Sequence, residues 1–417
     1  MKEELRHAVG SLLVVGLAGT QLTNMERAWL KLVRPGGIIL FRRNIEDARQ
    51  TRALLDEGSA LCAAHSFRCV DVEGGTVDRL RDALAPLPSA QAVALAALSR
   101  GWELRFPTLS VAAATTRKDG APSLAVGSCG LPPFRKGRER MGHPTERPRE
   151  LARVQGELIA RGVKAFGFNT TLAPVLDLAL PASAQVLGTR AAAATAAGVV
   201  EYARPFLAGL ARHGVAGCAK HFPGLGAGTL DSHLQTPAIG RSLGDLWRED
   251  LAPYRELRNE LPIVMVSHAA YPSTPGKNRP ASVSHYWTAT VLRKRIGYRG
   301  IVFSDDLEMG GILKFKPIEE AGVAAVRAGM DLLEICHSPE LILRAYEALI
   351  AEGARSAAFR KLLLARARGT ARQRAKLFAS GAAPALSARQ FEALRMRILR
   401  FNEAIAKAQR AVEAQPA

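Results

Sequence analysis

Eight short apolar runs rich in β-branched residues recur along the first 340 residues, and longer segments with helical apolar spacing lie between them. This alternation is typical of parallel α/β folds. Eight repeats predict a (β/α)8 barrel, for which 417 residues are ample when the loops carry insertions. The predicted strands are residues 12–17, 37–41, 67–71, 168–174, 215–221, 263–268, 301–305 and 332–336. The predicted helices include residues 47–64, 150–161, 191–212, 242–260, 284–296 and 318–329.

Two segments depart from this repeat and define the predicted domain organisation. Residues 101–148 are rich in Gly, Pro and Arg without regular spacing, so we interpret them as an irregular insertion in a single catalytic barrel, residues 1–350. Residues 351–417 are predicted to form a basic helical extension, in which Ser387 and Gln390 match a capping box. An apolar stripe at helical spacing in this extension needs a partner, either the barrel's flank or another subunit. The stripe consists of Phe391, Leu394, Ile398, Phe401 and Ile405.

The net charge of +19 bears on possible partners. Residues 351–417 contain 14 Lys and Arg against 4 Asp and Glu, so about half of the positive excess lies in the extension and not around a candidate site. A solvated helical face is the simplest interpretation, and contact with an anionic surface is the alternative. Aromatic residues are sparse there, which argues against single-stranded nucleic acid as the main ligand.

Cysteine usage and hydropathy bear on the compartment. The five cysteines are scattered, without the spacing of a zinc site or a disulfide framework. No apolar stretch reaches the length of a membrane span, and the apolar run at residues 9–17 lacks the flanks of a secretion signal. We therefore expect a cytoplasmic protein without a transmembrane segment.

Polar residues follow four of the predicted strands, where a barrel enzyme places its chemistry. Packing alone does not readily explain why polar residues occur at the ends of four strands. The four groups are Asp71-Val72-Glu73, Lys220-His221, Ser267-His268 and Ser304-Asp305-Asp306.

The segment from Lys220 to His233 is the most informative of these regions. A strand delivers Lys220 and His221 to the mouth of the barrel, and both side chains can donate hydrogen bonds to sugar hydroxyls. Asp231 and His233 lie two residues apart on the following loop, so the carboxylate can orient the imidazole. Histidine, with an ordinary pKa of about 6.5, suits both acid and base roles at neutral pH. A polar surface loop is the alternative.

Two acidic segments complete the candidate site. An apolar strand that ends in two acids is costly unless one acid is used or paired, and a carboxylate such as Asp305 can attack an anomeric carbon. Asp306 then has a supporting role, or caps the next turn. Asp71 precedes Glu73-Gly74-Gly75, where the glycines allow close approach to a ligand, although an ordinary turn explains this segment equally well.

These motifs resemble those of glycoside hydrolase family 3, in particular the compact bacterial β-N-acetylhexosaminidases of peptidoglycan recycling. The resemblance covers about residues 10–100 and 145–340, and the segment from Lys220 to His233 is its most specific part. Its other motifs are Gly36–Phe41 with Arg43-Asn44, the Asp71/Glu73-Gly74-Gly75 segment, Leu172–Asp177, Gly188-Thr189-Arg190, Arg279–Ser282 and Ser304–Leu307.

The resemblance implies a retaining double displacement without a metal or organic cofactor. Asp305 is the implied nucleophile, and His233 the implied acid and base, oriented by Asp231. N-acetylglucosamine from peptidoglycan-derived fragments is the implied sugar. The residues implied to hold or line the site are Asp71, Arg79, Arg190, Lys220, His221 and His268. The chain departs from the family where it has Thr76, Thr189 and Leu225 in place of the frequent Arg, Asp and His, which leaves the subsites open.

Three other functions remain open. A β-glucosidase or β-xylosidase of the same family shares Asp305 but usually takes its acid from another domain. Transfer or phosphorolysis at the same site is compatible with histidine as the acid. A non-catalytic sugar-binding barrel with a basic interaction tail belongs to a different class, and the combination of Asp231, His233 and Asp305 argues against it.

Overall fold

The computed structural model describes residues 2–97, 146–228, 236–381 and 383–413. Its centre is a closed barrel of eight parallel strands in the order β1-β10-β9-β8-β7-β6-β3-β2, which confirms the predicted (β/α)8 architecture. The barrel strands are β1 Leu13–Gly16, β2 Gly37–Leu40, β3 Phe67–Val70, β6 Thr170–Thr171, β7 Ala216–Phe222, β8 Ile263–Val266, β9 Ile301–Asp306 and β10 Leu332–Ile335. A small antiparallel hairpin, β4 Val72–Gly74 and β5 Val77–Asp78, follows β3.

Helices surround the barrel and account for most of the remaining described chain. The first seven are α1 Lys2–Gly10, α2 Asn24–Val33, α3 Ala48–Ala60, α4 Ala90–Ala96, α5 Glu146–Ala165, α6 Ala196–Arg212 and α7 Leu243–Arg248. The next six are α8 Ala252–Leu257, α9 Gly310–Leu313, α10 Ile318–Ala328, α11 Pro339–Arg355, α12 Ala357–Leu377 and α13 Ala388–Glu413. A helix with π-type hydrogen bonding, Tyr286–Ile296, precedes β9. In the described ranges, no helix is long and apolar enough to cross a membrane.

All eight predicted strands are present, whereas two predicted elements differ. The strand predicted at residues 168–174 is only two residues long. The single helix predicted at residues 242–260 is instead two short helices, α7 and α8, and Pro253 lies in the first turn of α8, where its missing N–H leaves no helical hydrogen bond unmade. Most of the predicted insertion at residues 101–148 lies outside the described residues, and residues 146–148 open α5.

The barrel's interior is formed by side chains that alternate along each strand. Leu333 and Ile335 of β10 pack outward against the helices, whereas Leu332 and Cys336 point inward. The same alternation on the other strands gives an apolar interior. Its other members are Val14, Ile39, Phe67, Cys69, Leu172, Ala216, Cys218, Ile263, Met265, Ile301, Phe303 and Phe378.

The C-terminal helices are integral to the packing of the barrel. Phe378, just after α12, packs edge-on against Phe67 at the start of β3, with 5.2 Å between ring centroids, and so closes the N-terminal end of the barrel. Arg374 of α12 is buried and donates to the carbonyl of Ser11 at 3.0 Å. In the apolar stripe of α13, Leu394, Ile398, Phe401 and Ile405 are buried and Phe391 is partly buried. Because α13 packs against α4 and α5, the barrel's flank covers the stripe. The predicted capping box at Ser387 is also present.

Candidate active site

A cavity of about 310 Å³ opens at the C-terminal ends of the barrel strands. Its inner wall is apolar, from residues such as Ile39, Leu172 and Met265, and its rim is rich in ionisable side chains. Six of the nine predicted site residues line it, namely Asp71, Arg79, Arg190, Lys220, His221 and Asp305. The other ionisable residues on its wall are Asp306, Glu334 and His337.

Lys220 is the centre of a buried network of ion pairs. Its Nζ lies 2.8 Å from Oδ1 of Asp71 and 2.7 Å from Oε1 of Glu73. Arg190 contacts Glu73 with two donors, Nε and Nη2, each at 2.8 Å. Arg79 reaches Asp71 only at 3.9 Å, so its guanidinium group remains available at the cavity wall.

The hairpin after β3 positions two members of this network. Gly74 has a φ of 92°, and a Cβ there would lie 2.1 Å from the carbonyl oxygen of Pro88. Only glycine tolerates this combination, and the resulting turn brings Glu73 inward while the backbone N–H of Arg79 donates to the carbonyl of Asp71 at 3.0 Å.

Charge pairing determines the protonation states in this network. Burial alone would raise the pKa of Glu73, but the charges of Lys220 and Arg190 and their hydrogen bonds lower it to about 2. Burial would likewise lower the pKa of Lys220, whereas the neighbouring Asp71 and Glu73 raise it above its ordinary value. Glu73 and Lys220 are therefore both ionised at neutral pH, and each charge is compensated by a partner.

His221 is held by Asp177, a residue that the sequence motifs include but to which no role was assigned. The distance from Nδ1 of His221 to Oδ2 of Asp177 is 2.6 Å, and the other oxygen of Asp177 accepts from the Leu225 N–H at 2.7 Å. Asp177 is fully buried. It therefore fixes the orientation of the His221 ring and the start of the loop that leads away from β7.

Asp305 faces the cavity because Ile301, Phe303 and Asp305 alternate inward along β9. Burial would raise its pKa, but the electrostatic influence of His268 and His221 and the N–H of Asp306, which donates at 3.0 Å, bring the pKa below its ordinary value. The adjacent Asp306 differs, because burial raises its pKa to about 7.

His268 is not among the residues that line the described cavity. Its side chain is fully buried, with Nδ1 at 2.7 Å from Oγ of Ser282 and Nε2 at 2.9 Å from the carbonyl oxygen of Asp306. Through the carbonyl of Asp306, His268 contacts the end of β9, from which it acts on Asp305 electrostatically. Its predicted role in lining the sugar site stays a prediction.

Asp231 and His233 lie outside the described residues. Leu225 lines the cavity, and Thr236 Oγ1 donates to the carbonyl of Gly311 in α9, after β9.

Phe41, Glu334 and His337 line the cavity but were assigned no site role from the sequence. Phe41 directly follows β2, and His337 lies two residues after the end of β10. Their rings stack with 5.3 Å between centroids, so the rule of polar strand ends could have found His337. Glu334 lies within β10, where the signal is a carboxylate in the apolar run Leu332–Cys336.

The family of the chain follows from sequence comparison. Residues 139–361, more than half of the chain, match the N-terminal domain of glycosyl hydrolase family 3. The chain belongs to this family. The predictions of the family and of a glycosidase are thereby confirmed, and a carbohydrate is the class of substrate.

Relatives and solved structures agree with this assignment. A β-hexosaminidase of Thiobacillus denitrificans is 36% identical over 330 residues, which is 79% of each chain. The structure of a family 3 β-N-acetylglucosaminidase from a Paenibacillus species has a TM-score of 0.75 at 28% identity and covers 95% of this chain and 68% of that one. NagZ from Neisseria gonorrhoeae, solved in complex with N-trifluoroacetyl-D-glucosamine, has a TM-score of 0.67 at 27% identity, covering 96% and 98%.

Proposed function

We propose that the chain is a retaining exo-glycosidase that releases terminal β-linked N-acetylglucosamine, with Asp305 as the nucleophile. The observation that carries this proposal is the contrast among the carboxyl groups of the cavity. The pKa of Asp305 is lowered, whereas the pKa of Asp306 is raised to about 7 and the pKa of Glu334 lies well above its usual range. A nucleophilic carboxylate has to be ionised, and Asp305 meets this requirement.

The proposed reaction has two displacements at the anomeric carbon. An oxygen of Asp305 bonds to C1 while the glycosidic C1–O bond breaks, and the leaving oxygen takes a proton from His233, which Asp231 orients. His233 then removes a proton from water, whose oxygen bonds to C1 and releases Asp305. Each displacement inverts C1, so the product keeps the β configuration.

Recognition of the sugar is assigned to the polar rim of the cavity. Lys220 and Arg79 present donors and Asp71 presents acceptors, so together they fit neighbouring hydroxyl groups of a pyranose. His221 adds a further polar group oriented by Asp177. The family's β-hexosaminidases, and the bound N-trifluoroacetyl-D-glucosamine in NagZ, support an N-acetylated sugar.

The finer details belong to the same proposal. Peptidoglycan-derived fragments are the proposed source of the sugar and the cytoplasm is the proposed location, as the resemblance to recycling enzymes implies. We also propose that the chain divides into a barrel, residues 1–350, and a basic extension, residues 351–417. The extension is proposed to contact anionic surfaces.

Aryl glycosides test the proposed function directly. We expect the wild-type protein to release p-nitrophenol from the β-N-acetylglucosaminide and not from the β-glucoside. Asp305→Asn, which keeps the shape of the side chain but removes its negative charge, should lower kcat/KM by at least roughly 10⁴-fold. Asp56→Asn, at an exposed carboxylate paired with Arg68 outside the cavity, is the matched control and should keep full activity.

Azide separates the two proposed roles. Asp305→Ala with azide should yield the α-glycosyl azide, because azide replaces the nucleophile in a single inverting displacement. His233→Ala should yield the β-glycosyl azide through the glycosyl-enzyme. An α-configured sugar as the first product of the wild-type protein would contradict a retaining mechanism, and preference for the glucoside would contradict the proposed sugar.

A further inference from the structure

Glu334 is a carboxyl group on the cavity wall to which the proposed mechanism assigns no task. It lies in β10 between Leu332 and Cys336, both of which point into the barrel, so its side chain also faces the interior. Only 2% of the residue is exposed, and it lines the same cavity as Asp305. It is therefore close to any sugar that the cavity binds.

The backbone of Glu334 is fixed, whereas one oxygen of its side chain has no partner. Its N–H donates to Oγ of Ser304 at 3.1 Å, and its carbonyl accepts from the N–H of Leu307 at 2.9 Å. In the described part of the chain, Oε1 of Glu334 is buried without a hydrogen-bond partner. A carboxyl that served only packing would be costly in this state, because buried polar groups are normally paired.

The groups facing Glu334 favour the protonated, neutral form of its carboxyl. Asp71, Asp305 and Asp306 surround it with negative charge, and burial together with these charges raises the pKa of Glu334 well above its usual range. Lys220 is the one cation among the groups that influence it most, but this ammonium is already paired with Asp71 and Glu73. A neutral carboxyl, unlike the surrounding carboxylates, carries a proton that it can donate.

We propose that Glu334 is a further substrate-binding residue, which donates a hydrogen bond from its neutral carboxyl group to a hydroxyl group of the bound sugar. Because Asp305 has to face C1, the hydroxyl is one of those on the non-reducing part of the ring, at C3, C4 or C6. The pairing provides the partner that the buried oxygen lacks. It also deepens the proposed function, on which it rests.

Deoxy sugars identify such a contact. The experiment measures kcat/KM for p-nitrophenyl β-N-acetylglucosaminide and its 3-deoxy, 4-deoxy and 6-deoxy analogues with the wild-type protein, E334L and E334Q. Leucine fills similar space without a donor, whereas glutamine keeps a neutral donor. Glu26→Gln changes a buried glutamate at the start of α2, outside the cavity, and is the control.

The expected pattern is a coupling between one hydroxyl and Glu334. For the wild-type protein, one analogue should lose about 10- to 100-fold in kcat/KM relative to the parent sugar. E334L should lose a similar factor on the parent and no further factor on that analogue. E334Q should stay within a few-fold of the wild type, and E26Q should show the wild-type pattern with all four substrates.

The pH dependence of kcat/KM provides a second measurement, which does not require E334L to fold. Because the pKa of Glu334 is raised, its proton is present at neutral pH and is lost as the pH rises through that pKa. The kcat/KM of the wild type should therefore fall on the alkaline side, and E334Q should lack this part of the profile. An identical profile for both proteins would overturn the proposal.

Other outcomes distinguish this proposal from the proposed function. Equal losses by E334L on all four substrates would show a structural role, and wild-type activity in E334L would exclude the contact. If the wild type cleaves neither the N-acetylglucosaminide nor the glucoside, the proposed function fails. Binding of N-acetylglucosamine and its deoxy analogues, measured by calorimetry, then tests Glu334 by the same coupling, and absence of coupling overturns it.

Discussion

Replacing Lys220 by Met should destabilise the barrel strongly, because it removes the cation that two buried carboxylates share. The side chains of Lys220, Asp71 and Glu73 are 5%, 12% and 4% exposed. Methionine has a similar length, so the main change is electrostatic. Loss of one partner from a buried ion pair costs more than the pair itself contributes, since the remaining charges stay buried.

The size of the effect follows from the pKa of Glu73. Lowering that pKa from 4.5 to about 2 corresponds to about 3 kcal/mol by which the cations stabilise the carboxylate beyond the cost of its burial. Arg190 retains part of this interaction through its two hydrogen bonds to Glu73, whereas Asp71 keeps only the distant Arg79. We therefore expect a loss of about 3 kcal/mol in the free energy of unfolding at pH 7.

The sign of the pH dependence adds a second requirement. In the wild type, Glu73 has a lowered pKa, so its contribution is complete above pH 4.5 and is lost as the pH falls towards 2. In Lys220→Met the carboxylates lose their cation, and their raised pKa values make the defect grow as the pH rises above 4.5. The difference between wild type and variant should thus be larger at pH 7 than at pH 4.5.

Urea titrations at the two pH values measure these differences. Lys316→Met is the matched control, because Lys316 forms an exposed pair with Glu320 at 2.6 Å and its loss should cost less than about 1 kcal/mol. Adding Glu73→Gln to Lys220→Met should recover part of the lost stability. The reasoning is refuted if Lys220→Met costs no more than Lys316→Met, or if its defect does not depend on pH.

Two further substitutions test the support of the site and the role of the extension. Asp177→Asn should lower kcat by roughly 10-fold or more, because an amide cannot accept from both His221 and the Leu225 N–H while keeping the imidazole ring in place. An unchanged kcat in the p-nitrophenol assay would contradict the role of Asp177 in holding His221. Phe401→Ala should cost about 3–5 kcal/mol in the free energy of unfolding, because the side chain of Phe401 on α13 is fully buried. Met396→Ala, at a 40% exposed position of the same helix, should cost much less. Equal losses in urea titrations would contradict the packing of α13 on the barrel.

The barrel could be predicted from the sequence because each strand is a compact apolar run between turn signals. The helix boundaries were harder, since apolar spacing alone does not reveal that residues 242–260 form two helices instead of one. The partner of the α13 stripe was left open between flank and subunit, because an amphipathic pattern predicts that a face is buried and not what covers it.

The candidate site could be predicted from the sequence to a similar extent. Polar residues at strand ends indicated Asp71, Lys220 and Asp305, since parallel strands bring their C-terminal ends to one mouth. The contacts of His268 with Ser282 and with the carbonyl of Asp306 join residues 14 and 38 positions apart, which no spacing rule encodes. Asp177 was missed as a partner because its contact with His221 joins residues 44 positions apart.

The two ends of the barrel interior carry different kinds of side chain, and this difference explains how the cavity tolerates so many acids. At the N-terminal end, Phe378 and Phe67 close an apolar interior that contributes stability. At the C-terminal end, the inward positions become ionisable, and the paired carboxylates Asp71 and Glu73 are balanced by Lys220 and Arg190.

The remaining acids of the cavity differ in their pKa values. The pKa of Asp305 is lowered, whereas the pKa values of Asp306 and Glu334 are raised, so Asp305 holds a negative charge more readily than its two neighbours. A second fully ionised carboxyl beside it would raise the pKa of Asp305 by repulsion and weaken it as a nucleophile. The raised pKa values of Asp306 and Glu334 reduce this repulsion, and their protonated forms can donate hydrogen bonds. The same arrangement of carboxyl groups therefore preserves the charge of Asp305 and supplies donors for a sugar.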